Sequence, residues 1–139
     1  MWREPRWRQP QIVQLGERMH FEKEQFVNEH LFDGDGFYGR LLCFQKGQQV
    51  PEHVHEHVDE CFDVLEGEGT FWVNGRPIVA GPGTHIYVPA GTRHALRADR
   101  SDRWVLRETV HERVYARRAL KLLARALLKR LPGIGTRYR

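Results

Sequence analysis

The stretch Gly47–Gly67, GQQVPEHVHEHVDECFDVLEG, decides how the rest of the chain is read. On an extended strand successive side chains alternate faces, so His53 and His55 project to one side while Val54 points away. Glu60 lies five residues past His55, an odd offset that would turn it to the opposite face of an unbroken strand. A turn or bulge between Glu56 and Asp59 is therefore predicted, after which a second strand brings Glu60 back inward. On that strand Phe62 and Val64 share the face of Glu60, and Cys61, Asp63 and Leu65 share the other. The run Glu66-Gly67-Glu68-Gly69 ends it as a turn.

A further donor stands on a second stretch, Gly83–His94, GTHIYVPAGTRH, where a strand closes at Pro89-Ala90-Gly91 and the next begins with His94. Three imidazoles and one carboxylate form a ligand set of intermediate hardness. It suits one divalent transition ion (Fe, Mn, Ni, Co or Zn) and is too rich in nitrogen for Ca or Mg. Alternation places Phe62, Val64, Leu96 and Ala98 inward beside these groups, which predicts a largely apolar substrate pocket. His57, in the turn before Glu60, and His85, on the strand before Pro89, are the nearest other titratable candidates for a catalytic base; the alternative is that both lie on the surface.

Nine positions in these stretches carry a resemblance. Gly47, His53, His55, Glu60 and Gly67 resemble the first motif of the cupin superfamily, and Gly83, Pro89, Gly91 and His94 its second. The resemblance covers roughly residues 37–110 and implies an all-β fold, a double-stranded β-helix or jelly-roll barrel, of the small single-domain type. It implies metal ligation by His53, His55, Glu60 and His94. Two positions depart from the family pattern: Ala98 stands where the second motif often has Asn, and Thr84 where it often has Asp. Neither is a ligand position in the family. The implied function is that of a metal-dependent enzyme on a small chelating substrate, with dioxygenase-type oxidoreductase chemistry favoured over isomerase, decarboxylase or lyase chemistry. The alternative is a non-catalytic module that binds or senses a small molecule.

Outward from these motifs the chain divides into an N-terminal arm and first strands (residues 1–36), the barrel core (37–110) and a basic helix and tail (111–139). In the first part, Gln11–Leu15 and Met19–Phe26 read as short strands and Asp33–Gly36 as a turn. The arm carries Trp2 and Trp7, which pack on their own barrel or on a second subunit. In the core, Phe37–Gln45 is a strand, and Asn74-Gly75 between Gly69–Val73 and Arg76–Val79 signals a tight hairpin, because both turn positions accept positive φ. Strands at Thr84–Val88, Arg93–Arg97 and Arg103–Val110 bring the total to about ten.

From Glu112 to Leu131 there is no Gly or Pro, and Ala116, Ala119, Leu120, Leu123, Leu127 and Leu131 recur at helical spacing. Arg117, Arg118, Lys121, Arg125 and Lys129 fall between them. This amphipathic α-helix is expected to dock its leucines on the barrel or on a second subunit, giving a homodimer; the alternative is contact with an acidic partner or an anionic membrane surface.

The 139 residues are 40% hydrophobic and 29% charged, and no apolar run approaches the roughly 20 residues that span a bilayer. The opening MWREPRWRQPQ lacks the apolar stretch of a secretory signal, so a cytoplasmic location is expected. Two cysteines, Cys43 and Cys61, do not make a disulfide framework. The net charge of +4 hides an asymmetry: residues 1–110 hold 13 basic against 17 acidic groups, and residues 111–139 hold 9 against 1. No nucleic-acid signature accompanies the basic tail, and no nucleic-acid partner is expected.

Overall fold

Period-two burial makes the layers of this protein. The computed structural model describes residues 3–129. Among them nine strands follow one another: β1 (Val27–Asp33), β2 (Phe37–Gln45), β3 (Gln49–His53), β4 (Val58–Glu66), β5 (Gly69–Val73), β6 (Arg76–Ala80), β7 (His85–Val88), β8 (His94–Arg97) and β9 (Arg103–Glu112). A single helical turn, α1 (Leu15–Arg18), precedes them, and α2 (Val114–Lys129) follows. The strands pair antiparallel in two sheets, β1-β2-β9-β4-β7 and β3-β8-β5-β6, the arrangement of a double-stranded β-helix.

The inner faces of the two sheets enclose Leu42, Phe44, Phe62, Val64, Phe71, Leu96, Trp104 and Leu106. Trp104 is fully buried and satisfies its indole N–H on the Ala80 carbonyl at 3.1 Å. Its ring lies against Gly69, where a Cβ would collide with the indole. Gly67 has φ of 70° and its Cβ position is closed by the Arg103 carbonyl, so the motif glycine is required twice over. At the β5–β6 hairpin Val73 pairs with Arg76, with φ of 51° at Asn74 and 77° at Gly75, a two-residue turn of the primed type.

A second apolar cluster sits on the outside of the larger sheet, and it corrects the reading of the N-terminal part. Residues 11–15 and 19–26 are not strands. Val13, Leu15, Met19 and Phe21 pack as a strap over Val27, Leu31, Leu41, Cys43 and Val105. The strap crosses the face of the sheet, so it has no ladder to join. Gln11 stands in for one, with its amide donating to the Asp33 carbonyl (2.8 Å) and accepting from the Asp33 N–H (3.0 Å). The first strand is instead β1, whose register against β2 shifts between His30 and Phe32. That irregularity breaks the alternation by which a strand is recognised. Trp7 is 44% exposed, and Trp2 lies outside the described residues.

Helix α2 forms where the periodicity places it, but its leucines do not dock on the barrel. Leu120, Leu123 and Leu127 are all about 60% exposed. Arg113 ties the root of the helix to the barrel, through Asp59 (2.9 and 3.1 Å) and through its own N–H on the His57 carbonyl (2.9 Å), and residues 119–129 further along are all exposed. Leu131 lies outside the described residues.

Candidate metal centre

Both sheets contribute to one cluster. His53 ends β3 and is the direct cross-strand partner of His94 at the start of β8, which brings their ring centroids to 4.2 Å. Glu60 reaches in from β4 on the opposite sheet, and His55 stands in the connection between β3 and β4. Three hydrogen bonds clamp that connection and the start of β4: the Gly91 N–H on the His55 carbonyl (2.8 Å), the Ala90 N–H on the Asp59 carboxylate (2.9 Å), and the Arg113 guanidinium on the same carboxylate (2.9 Å). The Arg113 guanidinium and the Ala90 N–H hold the Asp59 carboxyl well below its ordinary pKa, at about 2.

One donor atom from each of His53, His55, Glu60 and His94 falls within 4.8 Å of the others. The Nδ1–H of His53 donates to the Pro51 carbonyl (2.8 Å) and that of His94 to the Thr92 carbonyl (3.0 Å), which leaves each Nε2 as a lone-pair donor facing the cluster. His94 Nε2 lies 2.9 Å from Glu60 Oε2, and His55 Nε2 lies 3.4 Å from Glu60 Oε1. Although 2.9 Å is hydrogen-bond distance, the alignment is wrong, and both Nε2 of His94 and Oε2 of Glu60 are buried with no hydrogen-bond partner. Two ligands about 2.1 Å from one ion and at a right angle stand about 3 Å apart. The orphaned pair therefore has the spacing of co-ligands, and the four residues fit one divalent transition ion.

The electrostatics agree with a site built for positive charge. Burial lowers the pKa of His53. Burial acts the same way on His94, but the Glu60 carboxylate and the Thr92 carbonyl outweigh it and the pKa is raised. Burial opposes ionisation of Glu60, yet His94 and a hydrogen bond with Glu108 keep its pKa below the ordinary value. Glu108 bears the cost: burial and the adjoining Glu60 charge push it up to about 8.

The cluster opens on a cavity of about 300 Å³. His53, His55 and Glu60 form part of its wall, and Phe62 and Leu96 line it as alternation predicts. Val64 and Ala98 share those faces but lie one pair further along their strands, packed in the core and not on the cavity. His57 is exposed in the turn. His85 is exposed on the outer face, paired with Asp63 at 2.6 Å, which in turn holds Arg107 at 3.1 Å. Neither histidine reaches the cluster. The two thiols are likewise remote, with Cys43 in the outer core and Cys61 on the outward face of β4, and burial raises both pKa values.

The wall is more polar than the inward residues of the two motifs predict. Asn28, Tyr38, Arg40 and Glu108 line it beside the apolar Phe26 and Val50. Arg40 and Glu108 are register partners on β2 and β9, 4.0 Å apart at their charged ends, and the Arg40 guanidinium stacks on the Tyr38 ring at 4.8 Å. The signal was present in the chain. Tyr38, Arg40, Leu42 and Phe44 occupy one face of β2, and Trp104, Leu106, Glu108 and Val110 one face of β9, each an apolar alternation interrupted by a charge.

A jelly-roll barrel with three imidazoles and a carboxylate gathered inside it is the class of protein that this fold and site define. Residues 40–106 match the family model described as a cupin domain, and the barrel is of the cupin type. It is 43% identical over 54 residues to quercetin 2,3-dioxygenase of Bacillus subtilis, covering 39% of this chain and 16% of that protein. It is 33% identical over 67 residues to the dimethylsulfoniopropionate lyase DddQ of Ruegeria pomeroyi, covering 48% of this chain and 33% of that one. The chain thus spans a third or less of the curated relatives it matches. Among solved structures, that of TT1209 from Thermus thermophilus superposes with a TM-score of 0.71 at 24% identity, over 74% of this chain and 98% of that one, a likeness of fold.

Proposed function

We propose that this protein is a metal-dependent enzyme acting on a small chelating substrate, an oxidoreductase of the dioxygenase type. The observation that carries the reading is that donor residues of the cluster form part of the wall of a cavity of substrate size, so an ion held there stands open to a ligand. A redox-active divalent ion would polarise the paired oxygens of a chelating substrate and provide a route for electrons to dioxygen. Phe26, Val50, Phe62 and Leu96 supply an apolar clasp for the body of the substrate and exclude water from it. Burial raises the Tyr38 phenol pKa, so Tyr38 keeps its proton and donates a hydrogen bond. Arg40 beside it offers a cationic fork to an oxygen-rich substrate. Glu108, held protonated by burial and the Glu60 charge, offers a hydrogen bond or a proton to a substrate oxygen. The likeness to a quercetin dioxygenase over 54 residues supports the choice of reaction.

The test is oxygen uptake by protein reconstituted with Fe, Mn, Ni, Co or Zn in turn and supplied with quercetin, alongside His94→Ala. Uptake in step with substrate loss, requiring the ion and absent from the variant, is the expected result. Cleavage of dimethylsulfoniopropionate without oxygen would move the assignment to a lyase. Tight binding of either compound with no turnover would leave a ligand-binding module.

A further inference from the structure

Helix α2 presents five leucines, Leu120, Leu122, Leu123, Leu127 and Leu128, each between 58 and 65% exposed. At 100° per residue Leu120, Leu123, Ala124 and Leu127 occupy an arc of roughly 100°. Lys121, Arg125 and Lys129, four residues apart, run along a separate strip. No acidic residue occurs between Val114 and Lys129, where five residues are basic. An apolar face of this kind stays exposed only until it meets something that covers it.

Four surfaces could cover it, and exposure and charge separate them. The chain's own barrel does not, since the leucines are exposed. The same helix of a second copy would match leucine to leucine, but it would bring together two segments that each carry five basic and no acidic residues, with nothing to offset the charge. Nucleic acid would answer the cations and leave the leucines in water. An anionic phospholipid surface answers both, because acyl chains accept the leucines and headgroup phosphates accept the cations, toward which Lys and Arg stems extend. The 16 residues span about 24 Å at 1.5 Å per residue, and no described helix is long and apolar enough to cross a membrane. Lying in the interface is the geometry left to it.

We propose that α2 is an interfacial anchor for anionic phospholipid, with Leu120, Leu123 and Leu127 buried at the acyl boundary and Lys121, Arg125 and Lys129 at the phosphates. Residues 1–110 carry a net −4, so the barrel is repelled by the surface that attracts the helix. The helix then holds the barrel beside the membrane and not upon it.

The test uses the full chain in co-sedimentation with vesicles of phosphatidylcholine alone and of phosphatidylcholine with phosphatidylglycerol at 3:1, in 50 and 500 mM salt. Binding to the anionic vesicles is expected to be at least tenfold tighter than to the neutral ones and to weaken severalfold at high salt. The pairs Leu123→Glu/Leu127→Glu and Lys121→Glu/Arg125→Glu should each abolish it, while thermal unfolding of the barrel is unchanged. Equal binding to both vesicles, or none by the wild type, overturns the proposal. Self-association that the leucine pair disperses, without vesicle binding, assigns the face to a second copy. Binding to nucleic acid that only the cation pair abolishes, again without vesicle binding, assigns it there.

Discussion

Glu60 and His94 come from opposite sheets and meet at 2.9 Å in the barrel interior, each with a buried polar atom that no hydrogen bond satisfies. Leaving such atoms unpaired costs about 1–3 kcal/mol apiece, and an ion between them removes the cost. Metal loading should therefore approach one equivalent per chain for the wild type and fall at least tenfold in His94→Ala, read by elemental analysis after reconstitution and desalting. Chelation should lower the melting temperature by several degrees without unfolding the barrel, because the core of Phe44, Phe62, Phe71 and Trp104 does not depend on the site. An unchanged metal content in the variant would place the ion elsewhere.

Protons compete with the ion for the imidazoles. His94 has a raised pKa, so it begins to protonate above the ordinary value of about 6.5, whereas His53, lowered by burial, does so only in more acid solution. Metal affinity should then decline in stages as pH falls from 8 to 5, by up to tenfold per unit for each proton displaced. Competition against a chromophoric chelator at each pH would measure it. A flat profile across that range is incompatible with ligation through His94 Nε2.

The four candidate ligands were legible from the two motifs they resemble and from their spacing, since the odd offset from His55 to Glu60 demands a break in the strand, which falls at residues 54–57 and takes His55 off the strand itself. Tyr38, Arg40 and Glu108 were equally encoded, as charged or polar members of apolar alternations, but their convergence on the cavity needs the β2–β9 and β4–β9 registers, which are long-range facts. The strap at Val13–Phe21 illustrates the opposite case. Its apolar spacing states that the residues are covered, and only the position of the outer sheet face states by what. The same holds for α2, whose periodicity specifies a helix and is silent on whether anything packs against it.

Glu108 should make the metal-free protein less stable as pH rises. Its pKa is about 8 in the folded chain against an ordinary value of 4.5, so between those limits the folded state binds more protons than the unfolded one. Its contribution to stability is present below about 4.5 and is lost as pH rises through 8, at up to about 1.4 kcal/mol per pH unit. Glu108→Gln mimics the protonated form and removes the titration. Denaturant unfolding of both apo proteins should give similar stabilities at pH 5, with the variant pulling ahead by pH 8. Parallel curves would mean that Glu108 ionises freely.

Gly69 and Trp104 test how the floor of the barrel is packed. The Cβ of an alanine at 69 would enter the space of the indole ring, and the ring cannot swing aside, since its N–H is held by the Ala80 carbonyl and Phe44 stands at 5.5 Å on another side. Overpacking of this kind costs about 1–3 kcal/mol. Gly69→Ala should lower unfolding free energy by that amount and quench or shift Trp104 fluorescence, with metal stoichiometry retained because the cluster lies at the other end of the core. Gly75→Ala makes the contrast. Nothing lies within 4 Å of its Cβ position, so its penalty arises from φ of 77° alone, about 1–2 kcal/mol, and the indole signal should stay where it is.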